Sequence, residues 1–222
     1  MNRRVHARTP LHTGWFQRPD LGMISSVSDA PEGRSARFDL LLPGSLTSTG
    51  GRVVSTCSLI RDGDRAIVLD PGMAVRQTDI LEPLGALGLG PEQVTDVVLS
   101  HHHPDHTLNA GLFPAAAVHD HWAIYRGAAW EDSDAEGREL TASVRLIRVP
   151  GHSAEDIATV AGTADGIVVF THLWSTDTVP VDDPVSPDLH ALRASRARVL
   201  AIADLIVPGH AAPFRPSAAT PR

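Results

Sequence analysis

"LSHHHPDHTLNAG" (residues 99–111) places His101, His102, His103, Asp105 and His106 within six positions, directly after an apolar run. A chain leaving a strand end alternates its side chains, so His101 and His103 share one side and can meet one cation, while His102 points away. Asp105 reads as the N-cap of a helix over "HTLNAGLF", which brings its carboxylate to the same point with His106 beside it on the first turn. The run before the histidines, Val94 to Leu99, is then a buried strand that presents the donors at its end.

Two further histidines stand at the ends of apolar strands in the same phrase, "VPGH", at His152 and again at His210. Proline stops each strand ladder and glycine permits a tight turn, so each imidazole is offered from a rigid loop. Cys57 is the single cysteine, which removes any cysteine-based metal framework and any internal disulfide, and its apolar strand marks it as a small buried hydrophobe. Imidazole and carboxylate donors without thiolate suit Zn2+, with iron and manganese as alternatives. An open coordination position on such an ion lowers the pKa of bound water from about 16 toward about 7, which is the chemistry of hydrolysis.

The 222 residues are 42% hydrophobic, enough for one substantial core. A formal charge of −7, with the arginines scattered, offers no basic face and disfavours RNA as a generic partner. No apolar stretch reaches the roughly 20 residues that span a bilayer, and "MNRRVHART" leads into no apolar signal region, so a cytoplasmic location without membrane association is expected. Residues 1–20 and 216–222 read as a disordered leader and a flexible tail around one domain over 21–215. Asp62-Gly63-Asp64 and Ala164-Asp165-Gly166 mark hairpin turns. Ile80, Leu81, Leu84 and Leu87 are helically spaced, and a long helix is expected from Pro187 to Ala203 before a last strand "LIVPGH". Many strands with a few covering helices predict an α+β layered sandwich.

The run HxHxDH at residues 101–106, with "DPG" at Asp70 to Gly72, His152 after "PG" and His210 in "PGH", resembles the metallo-β-lactamase superfamily in order and rough spacing over residues 50–215. "LNAGLFPAAAV", "VAGTADGIVVF" and "IADLIVPGHAAPF" are similar to its metallo-β-lactamase domain-containing protein 1 group, near the glyoxalase II branch. The resemblance implies a four-layer αββα sandwich with the site at one edge. By motif, His101, His103 and His152 would hold a first metal, and Asp105, His106 and His210 a second. The family's bridging aspartate is replaced here by Thr171-His172, so His172 is a candidate ligand to one metal, but a neutral imidazole cannot bridge two ions as a carboxylate does. One tightly held Zn2+ is therefore expected, with a second only at high metal concentration.

Asp105 is the expected catalytic residue, orienting or deprotonating the nucleophile, and Asp70 the carboxylate that orients a metal-bound histidine. Trp174, Phe113, Trp122 and Tyr125 are candidate pocket walls. His102, His119 and His121 read as structural. The expected activity is metal-dependent hydrolysis of an ester, thioester, lactone, amide or phosphodiester in a small molecule. The resemblance also raises RNA cleavage, mononuclear iron oxidoreduction of the persulfide dioxygenase type, and a degenerate metal-binding protein. The oligomeric state is left open, a homodimer being compatible with the sequence.

Overall fold

The computed structural model describes residues 28–47, 51–177 and 181–222. The leader, residues 1–20, lies outside them. Among the described residues, two main sheets face each other. The first comprises β1 (Arg37–Leu42), β4 (Cys57–Asp62), β5 (Arg65–Leu69), β6 (Asp96–Val98), β7 (Ala117–His119), β8 (Ala123–Arg126) and β9 (Ala129–Asp132), in that spatial order. The second comprises β10 (Glu139–Thr141), β11 (Val144–Arg148), β12 (Ile157–Thr163), β13 (Gly166–Thr171) and β14 (Leu205–Pro208), with β13 and β14 parallel. A small hairpin of β2 (Ser45–Leu46) and β3 (Val53–Val54) stands apart.

The layering follows from strands that are apolar on both faces. Ile60, Ile67, Leu69 and Val98 of the first sheet meet Leu146, Ile157, Val168, Phe170 and Val207 of the second in one core. Their neighbours in sequence turn the other way, as strand periodicity requires. Leu59, Val68 and Val97 pack with Ile80 and Leu84 of helix α1 (Thr78–Ala86). Ile147, Val160, Val169 and Ile206 pack with Leu192 and Val199 of helix α3 (Leu189–Leu200). The result is the expected four-layer αββα sandwich.

Several local expectations shift. The strand before the histidines is only Asp96–Val98, because a 3₁₀ turn at Pro91–Gln93 occupies its approach. The last helix begins at Leu189, where Asp188 Oδ1 accepts from His190 N (2.9 Å) and Ala191 N (3.0 Å) as a true N-cap. The tail is fastened: Ser217 N donates to Thr220 Oγ1 (2.9 Å), and the carbonyl of Pro221 accepts from the indole of Trp174 (3.0 Å). A buried indole N–H needs such an acceptor. Among the described residues no helix is long and apolar enough to cross a membrane.

Candidate metal centre

The donors converge at one edge of the sandwich, where strands of both sheets end. After β6 the chain runs through His101 and His103 into a one-turn helix, α2 (Pro104–Thr107). Here the expected cap is corrected: His103, not Asp105, is the N-cap residue, and it makes no side-chain cap. Pro104 takes the first helical position, for which its fixed φ is suited, and moves Asp105 inside the turn. The carboxylate is thereby released from capping toward the other donors. Gly72 seats this turn, since a Cβ on it would stand 1.5 Å from the carbonyl oxygen of Asp105.

Three nitrogens form one cluster. His103 Nδ1 lies 3.0 Å from His101 Nε2 and 3.1 Å from His152 Nε2. In the other cluster Asp105 Oδ2 lies 3.4 Å from His106 Nε2 and 3.6 Å from His210 Nε2. Donors held at the zinc–nitrogen distance of about 2.0–2.1 Å in a tetrahedron stand roughly 3.3 Å apart, so both triads fit one ion each. Each of these two sets, named in the sequence reading, has its donor atoms within 4.8 Å of one another, and so does a third, fully buried set of His101, His106 and His172.

The outer partners set which nitrogen faces inward. Carboxylate and carbonyl oxygens only accept, so a ring nitrogen against one carries the hydrogen. His106 Nδ1 donates to Asp70 Oδ2 (2.9 Å), His152 Nδ1 to Asp183 Oδ2 (2.9 Å) and His210 Nδ1 to the carbonyl of Val54 (2.9 Å). His101 Nδ1 is turned to Ser100 Oγ at 3.0 Å. These contacts aim the opposite ring nitrogens at the clusters, as outer partners of metal-bound histidines do. Asp70 therefore has the orienting place expected of it, and its other oxygen accepts from Ser100 N (2.7 Å).

Electrostatics sharpen the picture. Burial holds the pKa of His101 and of His172 far down, neighbouring imidazoles adding to the effect. Burial works against charge on His106 as well, but Asp70 and Asp105 outweigh it and hold its pKa at about 9. Burial would raise Asp105, yet its contacts with His106 keep it down at about 2. Asp105 is an anion at neutral pH, ready to ligate.

The remaining expected residues divide cleanly. His102 points away, its Nε2 3.1 Å from Asp120 Oδ2 and its ring stacked on Trp122. His119 is buried against Asp96 (2.9 Å) and, like His121, joins neither triad. Tyr125 donates its hydroxyl to Asp120 (2.7 Å). Trp174 and Phe113 are not pocket walls, which corrects that expectation. Trp174 is fully buried under α3 and Phe113 lies in the α1 layer. The donors instead open into a cavity of about 430 Å3 whose apolar side is Leu46, Val53, Pro184 and Val185, with Arg196 in its lining. Asp183 and this apolar wall gave no sequence signal, since each joins the site from a loop that carries no motif.

A model described as the metallo-beta-lactamase superfamily matches residues 50–219. Metallo-beta-lactamase domain-containing protein 1 of Mus musculus is 37% identical over 163 residues, covering 67% of this chain and 60% of that protein. The chain thus spans about three fifths of that relative's length. Hydroxyacylglutathione hydrolase of Albidiferax ferrireducens is 33% identical over 113 residues, covering 49% of this chain and 42% of that protein. A solved structure from Thermotoga maritima superposes with a TM-score of 0.65 at 22% identity, covering 82% of this chain and 100% of that one. That likeness supports the fold.

Proposed function

The chain belongs to the metallo-β-lactamase superfamily, and from that premise we propose that it is a metal-dependent hydrolase, Zn2+ being the ion its donors suit best. One observation carries the reading: two triads of donors converge at one edge of the sandwich, and His103, His152, Asp105 and His210 of them line a cavity. When bound, such an ion makes water nucleophilic near neutral pH and polarises a carbonyl or phosphoryl oxygen. The chain's own part is positioning. Asp105, anionic at neutral pH, holds the hydrogen-bond acceptor that orients the attacking water, and the apolar wall offers a surface for an apolar part of the substrate.

The substrate is proposed to be a small molecule with an ester, thioester, lactone, amide or phosphodiester centre. RNA is the weaker proposal, because the lining offers Leu46, Val53, Pro184 and Val185 with a single arginine in place of a row of phosphate contacts. A second reading, oxygen chemistry at one iron, has the two-histidine, one-carboxylate set of His106, His210 and Asp105 in its favour. Metal analysis of protein purified without chelator, paired with thioester, lactone and phosphodiester substrates, tests both. Zinc with turnover that a chelator abolishes is expected. Iron with no hydrolysis would favour the second reading, and no metal with no turnover would overturn both.

A further inference from the structure

The cavity beside the donors is lined by one buried charge that is left without a counter-charge. Arg196 stands on α3, is only 1% exposed, and its side chain joins the lining alongside His152, Asp183 and Val185. Leu192 and Val199, one helical turn to either side, are fully buried, so the helix turns this face inward. Arg196 Nε donates to the carbonyl of Leu173 (2.9 Å) and Nη1 to that of Val181 (2.6 Å), while Cζ lies 5.6 Å from the ring centroid of Trp174. Nη2 has no hydrogen-bond partner among the described residues.

Charge accounting separates a structural anchor from a binding group. Carbonyl oxygens satisfy N–H groups but carry no counter-charge, and an ion buried without one is costly. Among the described residues Arg196 forms no ion pair, and the acidic groups in the adjoining loop are engaged elsewhere: Asp182 pairs with Arg193 (2.5 Å) and Asp183 accepts from His152 (2.9 Å). Burial holds the Arg196 pKa below its usual value, and Asp183 and Asp182 oppose that only in part. A residue needed only to tie Leu173 to Val181 gains nothing from a positive charge in such a place. The charge gains a partner when an anion enters the cavity, since the N–H groups left on Nη2 and Nη1 suit the oxygens of a carboxylate or phosphate.

We propose that Arg196 is a specificity-determining residue that binds an anionic group of the substrate. The apolar wall of Leu46, Val53, Pro184 and Val185 and the volume of about 430 Å3 then select small molecules that carry a carboxylate, or an anion of similar size, on an apolar body. A neutral analogue leaves the guanidinium buried and unpaired, which is the strong form of discrimination between substrates. The inference rests on this cavity being the substrate site of the hydrolase described above.

Phenylacetate and phenylacetamide, alike in size and shape, are titrated by calorimetry into the zinc-loaded protein. Wild type should bind phenylacetate about tenfold or more tighter than the amide. Arg196→Gln should bring the two within about threefold, and Arg196→Lys should restore part of the preference. Equal binding or no binding of the two by wild type would overturn the proposal, and so would a preference that survives in Arg196→Gln, because the carboxylate would then be held elsewhere, the ion included. A second measurement does not depend on how a variant folds: in proton–nitrogen spectra of the wild type the guanidinium signals of Arg196 should shift with phenylacetate and not with phenylacetamide, and unmoved signals would overturn the assignment. Both measurements read binding, so selective binding through Arg196 without turnover of any ester would keep this inference and remove the reaction. Turnover with no selectivity for the anion would do the reverse.

Discussion

Asp70→Asn separates two effects that one carboxylate exerts on metal binding. Asp70 sits at φ +48°, in the left-handed region that asparagine tolerates, so the backbone survives the change. Its two oxygens each accept a hydrogen bond, from Ser100 N (2.7 Å) and from His106 Nδ1 (2.9 Å). An asparagine has one acceptor oxygen, so its amide must face one of these donors. The misplaced contact loosens His106, and loss of such an outer partner costs about 10–100-fold in metal affinity. The second effect has the opposite sign. Burial opposes charge on His106, but Asp70 and Asp105 hold its pKa at about 9, so the metal-free site carries a proton that the ion must displace. At pH 7 that competition spans two pH units, about 2.7 kcal/mol or about 100-fold in affinity. His101, His103, His172 and His210 have lowered pKa values, burial being the first cause in each, and add no such proton above neutrality.

The wild type should therefore gain about tenfold in zinc affinity per pH unit from 7 to 9 and then level. In Asp70→Asn the pKa of His106 falls, so the curve levels earlier and lower. The two proteins should bind nearly alike at pH 7 and differ about 10–100-fold at pH 9.5. Competition against a chromophoric chelator between pH 7 and 9.5 measures both curves. Parallel curves would show that Asp70 does not hold the proton on His106, and coincident curves that it does not orient the ring.

His103→Ala and His152→Ala should each empty the three-histidine site and abolish turnover, whereas His102→Ala keeps both, as metal analysis and assay of the three proteins will show. Asp105→Asn should retain metal at that site while kcat falls roughly 100-fold or more, and an unchanged kcat would remove Asp105 from the reaction. Trp174→Ala should destabilise the fold by about 3–5 kcal/mol in denaturant titrations without altering the metal content of the folded protein. His172→Asp supplies a second anionic donor and should raise zinc stoichiometry toward two at limiting metal, read by calorimetry against the wild type.

The candidate ligands are legible because the apolar strands end just before these imidazoles, and the layers because residues such as Ile67 and Val68 are apolar on both faces. The hairpin β8–β9 is not legible in the sequence, since all four residues of β9 are exposed and two of them, Glu131 and Asp132, are acidic, which leaves no apolar alternation to read. Trp174 lies two residues beyond His172, a spacing that in a continuing strand would put both side chains on one face. The strand has ended by then, so alternation no longer governs the side chains, and the indole enters the α3 layer instead. Asp183 reaches His152 across 31 positions of sequence, a separation at which spacing carries no information.

That the donors come from both sheets ties the site to the core. His101, His103, Asp105 and His106 leave the first sheet after β6, while His152, His172 and His210 follow β11, β13 and β14 of the second. Each triad therefore spans the gap between sheets, and the distance it must match is set by Ile60, Leu69 and Val98 packing on Leu146, Phe170 and Val207. Backbone hydrogen bonds pin the same edge: Ile157 N donates to the carbonyl of Ser100 (2.9 Å), and Thr56 N to that of Gly209 (2.7 Å). Close-packed interiors deform little, so the donors are held at ligating spacing by the fold and little of the binding energy is spent on gathering them. By the same linkage an ion bound across the gap favours the closed sandwich over the unfolded chain. The residues that pack the sheets would thus act on a bound metal at a distance, through the separation of the two edges on which the candidate ligands stand.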